Sequence, residues 1–251
     1  MNDHEHLKPA AILLLGLLLA ACASVPPTTS ADWHPVTLPG KTATEYRAVV
    51  KDGREAVSAR SERSASLWRR RLAAPAGTPG DVSFSWWLER APEGASVGDI
   101  AREDAGARVL FAFDGDHARL PARTRLLFGM AESLTGEMPP YATLMYVWDA
   151  TAPVGTVIVN PRSDRIRKIV VDTGTAQKLR WRDHRRDLAA DFRRAFGEEP
   201  GALLSVALMT DSDNTASAAK AWYGPVVLHR REAAGPGQPG ANTGSPTESR
   251  P

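Results

Sequence analysis

The chain has 251 residues, 43% of them hydrophobic and 24% charged, with a formal net charge of +2. These are ordinary globular values, and the charge is too mild to point to a nucleic-acid partner. The length suits one sizeable domain or two small ones, and a single cysteine leaves no disulfide framework and no cysteine metal site.

In chain order, Lys8 precedes an apolar run from Ala10 to Ala21 that closes on Leu19-Ala20-Ala21-Cys22. The run is too short for the ~20 residues that cross a bilayer. A basic start, an apolar core and small residues before a cut make an export signal. Leu19 to Cys22 resembles the lipobox of bacterial lipoproteins. That resemblance implies removal of residues 1–21, lipidation of Cys22 and a membrane partner reached through the lipid anchor, since two or more acyl chains hold stably. Ala23 in place of Asp after the cysteine implies the outer membrane, periplasmic face. Residues 22–32 are small and polar and read as a tether. Residues 33–231 read as a single domain. Residues 232–251 are Gly, Pro, Ser and Thr with almost no large apolar side chain, the composition of a disordered tail.

Most of the domain reads as strands. Asp52-Gly53 between Tyr46–Val50 and Ala56–Arg60 is a two-residue hairpin signal. Ser66–Arg70 suits a short strand, and Ala74–Gly80 the main internal loop. Val82, Phe84, Trp86 and Leu88 alternate with Ser83, Ser85, Trp87 and Glu89, the pattern of a half-buried strand. Val109, Phe111 and Phe113 repeat it. Asp114-Gly115-Asp116 then reads as a hairpin turn. Tyr141–Trp148 is apolar on both faces and suits a central strand. Ile166–Val171, Leu203–Met209 and Trp222–Leu228 are further runs. Two helices are predicted. In Ala122–Leu134, Leu126, Leu127, Met130 and Leu134 share a face; in Asp187–Phe196, Leu188, Phe192, Ala195 and Phe196 do, with Gly197 placed for a left-handed cap. Many short strands with one or two short helices predict a mainly β fold, a jelly-roll-like (galactose-binding-like) antiparallel β-sandwich.

No H-E-x-x-H or P-loop is present, and His34, His117, His184 and His229 lack metal-ligand spacing among themselves. His184, among arginines, reads as a solvated residue. Asp211-Ser212-Asp213-Asn214-Thr215 follows an apolar strand, and Asp211 and Asp213 carry alternate oxygens that could converge on Ca²⁺. Ala216 and Trp222 stand where an EF-hand needs Gly and Glu, so that motif is excluded; an Asx turn is the plain alternative. Tryptophan faces can stack on sugars, but large aromatics also fill cores. Trp86 and Trp148 sit in apolar runs and read as core. Trp87 points away from Phe84 and Trp86, and Trp181 lies among Arg180, Arg182 and Asp183, which makes these two the stacking candidates. The runs Arg69–Arg71 and Arg180–Arg186, interleaved with Trp68 and Trp181, read as solvated charge or as a surface for acidic glycans or lipid phosphate.

Trp86-Trp87-Leu88, Asp104-Ala105 before Ala107-Arg108-Val109, Leu144–Trp148, Asp187-Leu188 with Asp191-Phe192 and Phe196-Gly197, and Met209–Thr215 together resemble the bacterial family called domain of unknown function 3047. The likeness runs from Trp33 to Leu228. It implies an envelope location and one domain, and no mechanism. Three functional readings stay open. The first is a non-catalytic binder of an envelope polysaccharide through Trp87, Trp181, Asp211 and Asp213. The second is a glycoside hydrolase or lyase using carboxylates among Glu103, Asp104, Asp211 and Asp213. The third is an outer-membrane assembly subunit with a protein partner.

Overall fold

A computed structural model describes residues 32–76 and 80–229; the segments read above as export signal and tail, and Cys22, lie outside the described residues. The strands are β1 (His34–Thr37), β2 (Glu45–Lys51), β3 (Arg54–Glu62), β4 (Ser66–Ala76), β5 (Asp81–Arg90), β6 (Arg108–Phe113), β7 (Ala142–Asp149), β8 (Val157–Asn160), β9 (Ser163–Thr173), β10 (Trp181–Asp187), β11 (Leu203–Met209), β12 (Ala218–Tyr223) and β13 (Val227–Leu228). The helices are α1 (Ala122–Thr135) and α2 (Leu188–Phe196). The larger sheet runs β1-β4-β11-β6-β7-β9-β8, and the smaller β10-β5-β12-β3-β2 with β13 beside β5. Pairing is antiparallel except between β7 and β9, which run parallel. This is the two-sheet β-sandwich that the strand pattern predicts.

The sheets pack through alternating side chains. Val109, Phe111, Leu144, Tyr146, Val206 and Leu208 of the larger sheet meet Val57, Val82, Phe84, Trp86 and Leu88 of the smaller one. Every residue of β7 is buried, as its two-sided apolar sequence requires. Its second face joins Leu110, Ala207 and Met209 in a separate apolar layer on the outside of the larger sheet. Asp52 and Gly53 take positive φ of 50° and 76° in the β2–β3 turn, the conformation a two-residue hairpin needs.

Helix α2 forms as read. Asp187 caps its N-terminus by accepting from Ala190 N, Gly197 closes it at φ 73°, and Leu188, Phe192 and Ala195 enter the core. Asp187→Ala is expected to cost about 1 kcal/mol in a urea melt, the usual loss for such a cap.

Four expectations need correction. The shared face of α1 is not core: Leu126, Leu127, Met130 and Leu134 are all exposed. Asp114–Asp116 is no hairpin turn, because Asp116 caps a 3-10 turn (His117–Arg119) that leads into α1. β4 continues to Ala76, inside the stretch read as a loop. His184 points inward, stacked on Phe84 with ring centroids 5.0 Å apart and bonded to Asp172 at 2.9 Å. The whole Arg-rich segment is strand β10, with Arg182, His184 and Arg186 turned toward Asp172 and Asp191. Burial would raise the Asp172 carboxyl, but bonds from His184, Trp86 and Arg182 outweigh it and hold it below the usual range.

Candidate functional site

The outer face of the larger sheet is a groove of about 760 Å³. Its floor is set by register. Arg69, Ala207, Leu110, Met145 and Lys168 stand opposite one another on β4, β11, β6, β7 and β9; the next row is Arg71, Ser205, Ala112, Thr143 and Ile166. Ala112, Ser205 and Ala207 are small, so the middle of the sheet is a trough. The segment from Asp114 to Tyr141, which carries α1, closes one end with Met138, Pro139 and Pro140 and is tied to β4 where Glu137 meets Arg69 and Arg71.

The other end is ionic. Arg108, 2% exposed, donates to Asp211 Oδ2 at 2.8 Å and to the Glu103 backbone oxygen at 2.8 Å, with Glu103 Oε1 at 3.4 Å. Lys168 and Arg162 each donate to Glu103 at 2.6 Å. Asp104 accepts from Thr215 N and Oγ1, and Asp213 pairs with Lys41. Four carboxylates (Glu103, Asp104, Asp211, Asp213) thus meet four cations (Lys41, Arg108, Arg162, Lys168). Burial would raise Glu103, but Arg108, Lys168 and Arg162 outweigh it and hold it below the usual range. Burial pushes Asp211 up to about 7 and, aided by Arg108, lowers Lys168 to about 8.

One carboxylate oxygen each from Asp104, Asp211 and Asp213 lies within 4.8 Å of the others, a spacing that could hold a cation. The donor set is already engaged, however. Ca²⁺ takes six to eight oxygens, and here it would have to displace Arg108 from Asp211 and Lys41 from Asp213. The segment is not a self-bonded Asx turn either, since Asp211 reaches Ala105 N and Arg108, and Asp213 reaches Lys41.

The two stacking candidates sit elsewhere, on the outer face of the smaller sheet. Trp181 and Trp87 are register partners on β10 and β5, their rings edge to face at 6.2 Å, and Trp222 of β12 is the partner of Trp87 on its other side. Three indoles therefore form one row across three strands. Lys51 lies over Trp87 at 4.0 Å, Lys220 over Trp222 at 4.7 Å, and Arg54 over Trp181 at 5.1 Å. Gly224 makes room for the Ser85 hydroxyl beside the row: a Cβ there would meet Ser85 Oγ at 2.2 Å. A shallower depression of about 580 Å³ beside it is lined by Arg54, Ser83, Ser85, Asp183, Arg185 and Pro225 among others. Sequence reasoning thus paired Trp87 with Trp181 and Asp211 with Asp213, while the fold keeps the two pairs on different sheets.

The profile of the family described as "Protein of unknown function (DUF3047)" matches residues 31–227. The chain belongs to this family. No curated protein matches this DUF3047 chain. Among solved structures it is similar to the family 11 carbohydrate-binding module from Clostridium thermocellum in complex with a β-1,3-1,4-mixed-linked tetrasaccharide (11% identity, 80% of this chain and 89% of that one, TM-score 0.40). It is also similar to the xyloglucanase domain of NopAA, a type three effector from Sinorhizobium fredii, in complex with cellobiose (9% identity, 78% and 92%, TM-score 0.38). At such identities and scores neither assigns a ligand or a residue role to the DUF3047 domain.

Sequence reading missed Trp222, Arg108 and Lys168. Each had a signal in the alternation of its strand. Lys220 and Trp222 oppose Ala221 and Tyr223, and Arg108 and Lys168 interrupt apolar strands on the groove-side register.

Proposed function

We propose that this DUF3047 protein is a non-catalytic glycan-binding module of the bacterial envelope, held at the outer membrane through Cys22, and that its sugar site is the row Trp181–Trp87–Trp222. The observation that carries the reading is the row itself. Strands lie about 4.8 Å apart, so the half-buried Trp181 and Trp87 offer adjacent apolar contact, a spacing suited to neighbouring sugar rings, with Trp222, 9% exposed, backing the row. Lys51, Arg54 and Lys220 surround the row, each paired with a carboxylate of Asp52, Asp183 or Glu89, so the surround offers both donors and acceptors to sugar hydroxyls. Trp181 Nε1 is buried and has no partner among the described residues.

Trp87→Ala and Trp181→Ala are each expected to weaken binding of an oligosaccharide by about fivefold or more, because stacking on one indole is worth roughly 1–3 kcal/mol in comparable aromatic contacts. Calorimetric titration over an oligosaccharide panel reads this, with melting temperatures taken in parallel. A collapse of the fold with no saccharide bound by the wild type would place both rings in packing alone. Ca²⁺ and a chelator belong in the same titration: a rise in melting temperature with Ca²⁺ that Asp213→Asn removes would put the cation at the acidic cluster.

One observation favours the enzymatic reading. Asp211, raised to about 7, stands near an ionised Glu103, and split carboxylate pKa values are the mark of an acid–base pair. Both groups are almost sealed and already bonded to cations. Release of reducing ends from an envelope polysaccharide, lost in Asp211→Asn with the fold intact, would establish that reading instead.

A further inference from the structure

The groove on the larger sheet has a different chemistry from the tryptophan row. No Phe, Tyr or Trp lines it; Leu67, Leu110, Met145, Ile166, Ala207 and Met209 give it an aliphatic floor. A sugar finds no ring face there, whereas a hydrocarbon chain finds a continuous apolar trough. The pairing at its two ends also differs. At the Glu103 end four cations meet four carboxylates. At the other end Arg69 and Arg71 share one carboxylate, that of Glu137, with Arg69 at 3.0 and 3.1 Å and Arg71 at 2.6 Å. Arg69 Nε, buried, has no partner among the described residues. Asp114 lines the same end without an ion pair among the described residues, so the group left incompletely satisfied there is the Arg69 guanidinium.

We infer that the groove binds a single-chain amphiphile with an anionic head. The chain lies on the aliphatic floor, and the head takes the place of the Glu137 carboxylate on Arg69 and Arg71. A carboxylate matches the fork of an arginine in two parallel bonds, as Glu137 does now. The site is on the opposite sheet from the tryptophan row and does not depend on it.

The probes are palmitate, hexadecanol and butyrate, titrated into the full chain by calorimetry. Palmitate is expected to bind saturably, hexadecanol at least tenfold more weakly, and butyrate not measurably. Affinity should climb about fourfold for each methylene added to a saturated fatty acid until the trough is full. Two variants separate binding from mere structure. Arg71→Gln and Glu137→Gln both break the Arg71–Glu137 pair, and Glu137→Gln also releases Arg69, so it should lower the melting temperature at least as much. Arg71→Gln removes part of the head site and should weaken palmitate by about tenfold. Glu137→Gln removes the competing carboxylate and should tighten it severalfold. The inference is overturned if palmitate does not saturate, if hexadecanol binds as well as palmitate, or if both variants move its affinity the same way. Loss of saccharide binding in Trp87→Ala with palmitate binding unchanged would separate the two sites.

Discussion

Arg108→Met is expected to be among the most damaging single substitutions in this domain, lowering stability by about 3–5 kcal/mol at pH 8, the usual result of removing one partner of a buried ion pair. For a domain of this size that is about 6–20 degrees of melting temperature. The reason lies in what the arginine leaves behind. Asp211 Oδ2 loses its 2.8 Å partner with the residue 3% exposed, and the Glu103 backbone oxygen loses a second bond. Glu103 itself keeps Lys168 and Arg162. The cost should therefore fall mainly on Asp211 and shrink at pH 5, where that carboxyl holds a proton and no longer needs a cation. Adding Asp211→Asn to Arg108→Met should recover a large part of the loss at pH 8 and little at pH 5. Urea melts of the four proteins of this double-mutant cycle measure it. Equal losses at both pH values would mean that Arg108 acts through packing and its bond to the Glu103 backbone.

The same strands show what a sequence discloses and what it hides. Where side chains alternate between oil and water, as in Val82–Leu88, or are apolar throughout, as in Leu144–Trp148, period and burial agree and the strand is legible. Helix α2 is legible because its cap, its apolar face and its closing glycine all point the same way. Strand β10 is not, because its inward residues are Arg182, His184 and Arg186; Arg186 pairs with Asp191 five residues on, but Arg182 and His184 are tolerated inside only by Asp172 of β9. No local pattern carries that partnership. Helix α1 fails in the opposite sense: the apolar face is plainly there, yet it faces outward. The site divides likewise. Trp87 announced its direction by contrast with Phe84 and Trp86. Lys168 and Arg108 acquire their meaning only when β9 and β6 bring them to Glu103 from either side of β7.

Stability should fall as pH rises from about 4 to about 7, and one residue should account for most of the slope. Burial pushes the Asp211 carboxyl up to about 7, while an unfolded chain releases that proton near 3.9. Between those values the folded protein holds a proton the unfolded chain has lost, so raising the pH favours unfolding. A separation of roughly three pH units corresponds to on the order of 4 kcal/mol, all of it present below pH 4 and gone above 7. Lys168 acts in the other direction at higher pH. Burial lowers it to about 8 against ~10.4 unfolded, so from pH 8 upward the unfolded chain holds the extra proton and stability recovers. The wild type should therefore pass through a minimum between about pH 7 and 8. Glu103 and Asp172, held below the usual range, lose their contribution only in more acidic solution as they protonate, and lie outside this window. Asp211→Asn should flatten the limb between pH 4 and 7 and leave the recovery above 8; Lys168→Met should do the reverse. Urea midpoints at unit pH steps from 4 to 10 read both limbs. If wild type and Asp211→Asn run parallel from pH 5 to 7, the buried carboxyl is ionised throughout, and Arg108 rather than a proton satisfies it at every pH.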